Sequence, residues 1–289
     1  MIDLRVKNPR HTRADGRPAG WRKAAAAAAL ILSVSLLSAC GGRNDETITV
    51  AGSTSVQPYA EMLAEEYEIR YPGNVIDIQG GGSSAGIAAV ESDAADIGMS
   101  SRALDEKEQE LWFVEIAKDG LAVIINHNNP IQDLTLDQIR GIYTTAIPNW
   151  SELGGPEAKI HVIAREEGSG TRSAFESLVM GGEPIAPRAI IQASNGAVRQ
   201  LVSGDPHSIG FISLGLVDQT VKALRLEGVA ATWDNVMNGS YRLFRPFLFI
   251  AGEQPTGLTE QFIHFTLSLE GQQLLVHEGL IPVTEGVKR

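Results

Sequence analysis

The sequence has a single cysteine, Cys40, so no disulfide within the chain can stabilise the fold. Beyond residues 24–39, no uncharged apolar run approaches the roughly 18 residues that a membrane-spanning helix needs. No Gly-x-x-x-x-Gly-Lys-Ser/Thr segment is present, which excludes a P-loop ATPase. The six histidines show no ligand spacing, so the sequence predicts neither a metal site nor a cofactor.

The N-terminal residues have the pattern of an export signal. Basic residues precede the uncharged run 24–39, which is too short to span a bilayer comfortably as a helix. The run ends at Leu37-Ser38-Ala39-Cys40, which resembles the bacterial lipobox, where the cysteine is acylated and becomes the new N-terminus. We therefore expect a lipoprotein signal peptide over 1–39, lipidation at Cys40, a tether over 40–46 and a periplasmic or other extracytoplasmic location at the membrane.

Basic residues are scarce in the rest of the chain. From Cys40 onward the net charge is about −16, because most of the acidic residues lie there and seven of the basic ones lie in the leader. A surface of this sign argues against nucleic acid or an anionic membrane face as a partner. The length that remains is sufficient for one large lobe or two medium ones.

Three turns rich in Gly, Ser and Thr each follow an apolar stretch and precede a helical pattern; they are 52–55, 80–86 and 166–172. Arg165 ends the apolar stretch before the third turn. The first amides of a helix have no intrahelical acceptor and lie at the positive end of the helix dipole, so such turns suit an oxyanion. A fourth segment, 96–102, ends a strand with Ser100, Ser101 and Arg102. Each turn taken alone also fits an ordinary helix N-cap.

Strand and helix patterns alternate along the chain, which predicts an α/β fold with parallel strands and crossover helices. An apolar strand over 121–125 marks the entry to a second lobe, and a long strand over 243–250 with a terminal helical pair over 257–279 returns to the first. We expect lobe 1 to comprise 47–124 and 246–289, and lobe 2 to comprise 125–245. In open sheets of this kind, ligands lie outside the carboxyl ends of the strands, where all these turns occur.

The four segments 52–58, 79–86, 96–102 and 165–172 resemble, in matching order, the signature segments of the phosphate-binding PstS proteins. These are the substrate-binding components of phosphate ABC transporters. The resemblance implies a two-lobed periplasmic binding protein of type II, the Venus-flytrap fold, that binds inorganic phosphate and delivers it to ABC permease subunits. It also implies a monomeric binding protein and not an enzyme.

Carried over by position, the family's ligand contacts fall on the following residues: Thr54, Ser55, Ser83, Ser101, Arg165, Ser169, Gly170 and Thr171. Some members have an Asp where this chain has Ser101. A serine can accept a hydrogen bond but lacks the charge that repels fully deprotonated anions. We expect the neighbouring Arg102 to act as a second cation.

Two other functions remain open at this point. Gly82-Ser83-Ser84-Ala85-Gly86 fits the nucleophile elbow of a serine hydrolase, with Ser84 as nucleophile and His207, His264 or His277 as base. That interpretation leaves the other three turns unexplained. A sensor for phosphate or another oxyanion, acting through a membrane partner without transport, is also compatible with the segments.

Overall fold

The computed structural model describes residues 46–283, and the predicted signal peptide and Cys40 lie outside this range. Its first elements alternate as predicted: β1 (Glu46–Gly52), α1 (Gln57–Arg70), β2 (Asn74–Gly80), α2 (Ser83–Glu91) and β3 (Ile97–Ser100). Both β2 and β3 pair with β1 in parallel. The ends of β1, β2 and β3 therefore bring the first, second and fourth predicted segments to one edge of the sheet.

Helix α1 shows why the sequence predicts this half well. Tyr59, Leu63 and Tyr67 recur at four-residue spacing and are all buried, so they form one apolar stripe against the sheet. Pro58 lies in the first turn, where its missing N–H costs no helical hydrogen bond. The helix ends before Gly73, whose positive φ of 107° suits glycine.

Two long strands connect the halves of the molecule. β4 (Trp112–Asn126) and β11 (Phe244–Ala251) run antiparallel to each other. Only the last part of β4, 121–125, is predicted from the sequence, because its first part carries Glu115 and Lys118 among the apolar residues. These two strands make the sheet mixed and not purely parallel.

The remaining elements form the second half. The strands are β5 (Asp133–Leu134), β6 (His161–Arg165), β7 (Ile190–Gln192), β8 (Ser208–Ser213), β9 (Val221–Ala223) and β10 (Arg225–Leu226). The helices are α3 (Leu136–Thr144), α4 (Gly170–Phe175), α5 (Asn195–Gly204), α6 (Trp233–Met237), α7 (Gly257–Leu267) and α8 (Leu269–His277). α4 continues as a π-helix over Glu176–Met180. Short 3-10 helices span Glu108–Glu110, Trp150–Leu153 and Leu214–Leu216.

The main sheet has the strand order β2-β1-β3-β11-β4-β8-β6-β7, with β9 also paired to β4. β8 is antiparallel to β4, whereas β6 and β7 continue in parallel from β8. β5 and β10 form a separate two-stranded sheet. The sequence does not predict β5, β9, β10 or α6, because each has only two to five residues.

Separate apolar cores lie in the two halves. The first core contains Val50, Leu63 and Phe249, and the second contains Phe175 and Phe211, whose rings stack at 4.1 Å. β4 contributes Ile116 and Ala117 to the first core and Leu121, Val123 and Ile125 to the second. The strand thus passes from one core to the other at 118–120. Within 46–283, no helix is long and apolar enough to cross a bilayer.

Candidate anion-binding site

Buried hydroxyl groups from all four predicted segments lie between the two halves. We call this group the hydroxyl cluster; it comprises Ser53, Ser55, Ser83, Ser101, Ser169 and Thr171. Each of these residues is at most 2% exposed. Since burying a hydroxyl without a partner is costly, such a concentration of alcohols in a closed interior needs a reason beyond packing.

The first half arranges its hydroxyls through the ends of β1 and β3. Ser53 donates from Oγ to Ser101 Oγ at 2.8 Å, and the amide of Ser101 donates to Ser83 Oγ at 3.1 Å. Ser83 Oγ and Ser101 Oγ are 3.4 Å apart. The turn before Ser83 depends on Gly82, which has a φ of 94° that other residues rarely adopt.

The second half presents the start of α4 to these hydroxyls. Ser169 is the N-cap of the helix and accepts a hydrogen bond at Oγ from the amide of Arg172. Gly170 comes so close that a Cβ there would lie 2.2 Å from Ser83 Oγ and 2.6 Å from Ser101 Oγ. The amide of Ser84 donates to the carbonyl of Gly168 at 3.1 Å, so backbone contact also joins the two halves.

Arg165 is a buried cation at the end of β6, only 1% exposed. Its Nε and Nη2 donate to the two carboxylate oxygens of Glu166 at 2.8 Å each. Nη2 also donates to Thr54 Oγ1 in the other half at 3.0 Å, and Nη1 donates to Thr171 Oγ1 at 3.4 Å. The guanidinium therefore bridges both halves and faces the hydroxyl cluster.

Ser55 has a hydroxyl whose hydrogen-bond direction can be deduced from its neighbours. Its Oγ accepts from Asn195 Nδ2 at 2.8 Å and from Arg245 Nη2 at 3.3 Å, which occupies both lone pairs. Its own hydrogen is therefore directed to Thr171 Oγ1, at 2.7 Å. Thr171 Oγ1 then accepts from Ser55 and Arg165, so its hydrogen is free to be donated to an anion.

Three buried polar residues next to this site are missing from the sequence prediction: Asn195, Asp119 and Arg245. Arg245 donates from Nη2 and Nε to Asp119 Oδ2 at 3.0 and 3.1 Å. Burial lowers the pKa of Arg245 and raises the pKa of Asp119, while the charge of each partner opposes the shift of the other. A charged residue within an apolar strand was a signal for Asp119 and Arg245, since charges are rarely buried without a partner or a function.

Arg102 does not join the hydroxyl cluster. Its Nη1 and Nη2 donate to the two carboxylate oxygens of Glu108 at 2.6 and 2.7 Å. These hydrogen bonds raise the pKa of Arg102 and lower that of Glu108. Within residues 46–283, Arg165 and Arg245 donate hydrogen bonds to members of the hydroxyl cluster, whereas the guanidinium of Arg102 does not. Arg172 pairs with Glu176 and donates to the carbonyl of Arg165, a supporting contact for the loop.

Ser84 lacks the surroundings of a catalytic serine. Its side chain is exposed, and within the described residues it makes no hydrogen bond to a histidine. The carbonyl of His207 accepts from Trp150 Nε1 in the second core, whereas His264 and His277 lie on α7 and α8. This geometry gives no support to the hydrolase hypothesis.

The fold and site can be compared with known proteins. The family model described as a PBP superfamily domain matches residues 38–270 of the chain. The chain is also 31% identical to the phosphate-binding protein PstS of Bacillus subtilis, over 83% of this chain and 81% of that protein. It belongs to the PstS family within the PBP superfamily.

Solved structures are similar in the same way. A putative phosphate ABC transporter substrate-binding protein from Clostridium perfringens, solved with bound phosphate, is 44% identical with a TM-score of 0.80. That comparison covers 83% of this chain and all of the other. An ABC-type phosphate transport receptor from Vibrio cholerae is 41% identical with a TM-score of 0.70, over 81% of this chain and 99% of the other. The PstS family and the type II binding-protein fold implied by the sequence are thus confirmed.

Proposed function

We propose that this chain captures inorganic phosphate between its two lobes and delivers it to the permease of an ABC transporter. The observation that carries the proposal is the hydroxyl cluster, a buried set of donors that converge from four separate segments around Arg165. The relatives support the choice of ligand, since the similar Clostridium protein was solved with phosphate bound. The hydroxyl cluster offers directed hydrogen-bond donors, which suit a small oxyanion.

The proposed contacts divide between the lobes. Thr54, Ser83 and Ser101 supply hydroxyls from lobe 1, and the predicted contact Ser55 instead orients the Thr171 hydroxyl by donating its hydrogen to it. Lobe 2 supplies the guanidinium of Arg165 together with the start of α4 at Ser169, Gly170 and Thr171. Gly170 and Thr171 precede the first intrahelical hydrogen bond, so their amides are available to an anion at the positive end of the helix. Hydrogen bonds from charged or oriented donors to an ionised ligand are the strong class.

The acidic surface of the chain does not oppose an anionic ligand. Exposed carboxylates more than about 8 Å away are largely screened at physiological salt, whereas buried donors act at hydrogen-bond distance in a low local dielectric. Arg165 is already paired with Glu166, so this ion pair has no net charge. Phosphate recognition would therefore depend on the hydroxyl and amide donors as much as on the guanidinium.

The division into lobe 1 (47–124 and 246–289) and lobe 2 (125–245) remains a proposal. The passage of β4 between the two cores favours a hinge at 118–120, slightly earlier in the chain than the predicted boundary. The described arrangement, in which Ser84 and Arg165 make hydrogen bonds across the halves, corresponds to a closed cleft. Release to the permease would require these bonds to break as the lobes separate.

For the cellular setting, we propose an extracytoplasmic monomer that is anchored to the membrane through acylated Cys40. The support is the lipobox-like sequence before Cys40. Replacing Cys40 with Ser should move the protein from the membrane fraction to the soluble fraction without changing its affinity for phosphate. Retention of the variant in the membrane fraction after a high-salt wash would contradict the lipid anchor.

Titration calorimetry of the purified protein with phosphate, arsenate, sulfate and molybdate tests the ligand assignment. We expect tight binding of phosphate, and weaker binding of sulfate if the site discriminates by protonation. If none of the four anions releases or absorbs heat on titration, and none raises the melting temperature, the phosphate proposal is wrong. Turnover of a simple ester by the same preparation would instead revive the hydrolase hypothesis.

A further inference from the structure

The chain contains a second buried arginine beside the hydroxyl cluster, at the point where the two crossing strands pass between the cores. Arg245 on β11 lies opposite Asp119 on β4 in the strand register, and the two side chains form a buried ion pair. They are 2% and 1% exposed. Replacing such a pair with apolar residues is often neutral or stabilising, so stability alone gives a weak reason for its presence.

The hydrogen bonds of Arg245 leave one end of its guanidinium without an acceptor. Nε and one hydrogen of Nη2 face Asp119, while Nη2 also donates to Ser55 Oγ at 3.3 Å. Nη1 is buried and has no hydrogen-bond partner among the described residues. Leaving a buried donor of this kind without a partner is costly, and more so when the donor is charged.

The direction of the free donor follows from the planar geometry of guanidinium. The outer N–H groups of Nη1 and Nη2 are parallel, so a hydrogen on Nη1 points the same way as the one directed at Ser55. Ser55 in turn contacts Thr171 across the cleft. Burial is the main cause that lowers the pKa of Arg245. The positive charge of Arg165 also lowers it, so the two cations lie close enough to interact.

We propose that Arg245 is a second anion-contacting cation of the phosphate site, with Asp119 holding its guanidinium in place through Nε and Nη2. The proposal rests on the proposed function and adds a residue to it. Arg245 Nη1 would donate to phosphate beside the Thr171 hydroxyl, which Ser55 and Arg165 orient. Because each arginine is paired with a carboxylate, the two guanidinium groups supply directed N–H donors to the site and add no net positive charge.

A neutral double variant separates direct contact from mere neutralisation of Asp119. Arg245→Gln alone leaves a buried carboxylate uncompensated, which would repel an anion even if Arg245 never touched it. In Arg245→Gln/Asp119→Asn, both charges are removed and the two amides can still hydrogen-bond. If Arg245 contacts phosphate, this double variant should bind it about 10- to 100-fold more weakly than the parent protein.

Arg140→Gln/Asp137→Asn is the matched control, since it removes another arginine–carboxylate pair, which lies on α3 outside the hydroxyl cluster. Its dissociation constant for phosphate should stay within about twofold of the parent value. Thermal unfolding verifies that each variant is folded. Should the double variant at 245 and 119 fail to fold, Arg245→Lys keeps the charge and the partner of Asp119 but loses the planar fork, and should weaken binding by about tenfold.

The outcomes distinguish the two proposals. If the parent protein binds phosphate and the neutral double variant binds at least about tenfold more weakly, Arg245 contacts the ligand. A smaller loss in the folded double variant overturns the assignment of Arg245 and leaves the phosphate site itself intact. If the parent protein binds no phosphate, the proposed function fails and the role of Arg245 fails with it.

Discussion

Asn195 donates from Nδ2 to Ser55 Oγ at 2.8 Å and thereby joins two turns that are 140 positions apart in the sequence. Its Oδ1 accepts from the amide of Ser213 at 3.3 Å, which fixes the orientation of the amide group. Asn195 is thus a buried connector between the start of α5, the end of β8 and the first Gly/Ser/Thr turn. The first turn thus meets α5 and β8 through a residue that lies outside all four predicted segments.

Replacing Asn195 with Ala should lower the free energy of unfolding by about 1–3 kcal/mol, because the Ser213 amide loses its acceptor and Ser55 loses a donor. Phosphate affinity should fall as well, since the proton of Ser55 would no longer be confined to Thr171. Urea denaturation and calorimetry measure the two effects. Asn128→Ala, at an exposed turn, is the control. Equal stability of both variants would contradict the role of Asn195 as a connector.

Gly170→Ala should prevent the present closed arrangement. The added Cβ would lie 2.2 Å from Ser83 Oγ and 2.6 Å from Ser101 Oγ, so the start of α4 would have to move away from lobe 1. Overpacking of this kind costs about 1–3 kcal/mol, which corresponds to roughly 5- to 150-fold in phosphate affinity. Gly204→Ala serves as control, because no atom lies within 4 Å of its Cβ position. Undiminished affinity in the Gly170 variant would show that this contact is absent from the bound state.

Arg165→Ala should weaken phosphate binding by about 30- to 5,000-fold, because truncating a buried, hydrogen-bonded charge costs about 2–5 kcal/mol and leaves Glu166 unpaired at the site. Ser84→Ala should leave the affinity within about twofold, since the exposed Ser84 side chain holds nothing in the hydroxyl cluster. Calorimetry with phosphate compares the two variants. The reverse order of effects, accompanied by loss of ester turnover in the Ser84 variant, would favour the hydrolase.

The Arg102–Glu108 pair should make a contribution to stability that disappears in acid. Hydrogen bonds from Arg102 hold the pKa of Glu108 below its usual value of 4.5. A lowered pKa in the folded state stabilises the protein above the unfolded pKa, and this stabilisation is lost as the pH falls through the folded pKa. Glu108→Gln should therefore be less stable than the parent protein near neutral pH, and the difference should shrink below about pH 4.5. Urea titrations at several pH values measure it; a difference that persists unchanged at pH 3 would contradict the assignment.

Local patterns predict the first half of the fold well. Short stretches of sequence are enough to predict these elements. Residues close in sequence form the stripe of Tyr59, Leu63 and Tyr67 and the glycine-rich ends of β1 and β2, and these features predict the alternation of strands and helices. The first part of β4 is not predictable in this way. Its pattern mixes charged and apolar residues because the strand leaves one core, crosses between the halves and enters the other.

The site residues differ in the same way: those within short motifs are predictable from the sequence, whereas those brought in by the pairing of distant strands are not. Seven of the nine predicted phosphate-binding residues are buried together, and Thr54 contacts Arg165 from the edge of the group. Arg102 was expected beside them because it follows Ser101, but Glu108, six positions later, draws its side chain away. Arg245 and Asp119 become neighbours of the site only through the pairing of β11 with β4, which no short segment of sequence reveals.

The crossing strands determine how the halves can move. Around the 118–120 crossing, β4 and β11 are paired as a two-stranded ribbon, with Gly120 opposite Phe244 and Lys118 opposite Pro246. The backbone N–H and C=O of Lys118 both pair with Ile281 and so point away from β11, which makes Lys118 and Pro246 a non-hydrogen-bonded pair where proline costs no hydrogen bond. At this pair the ribbon therefore has no backbone hydrogen bond between its strands to lose, so the two crossing strands can bend there without leaving an amide unpaired.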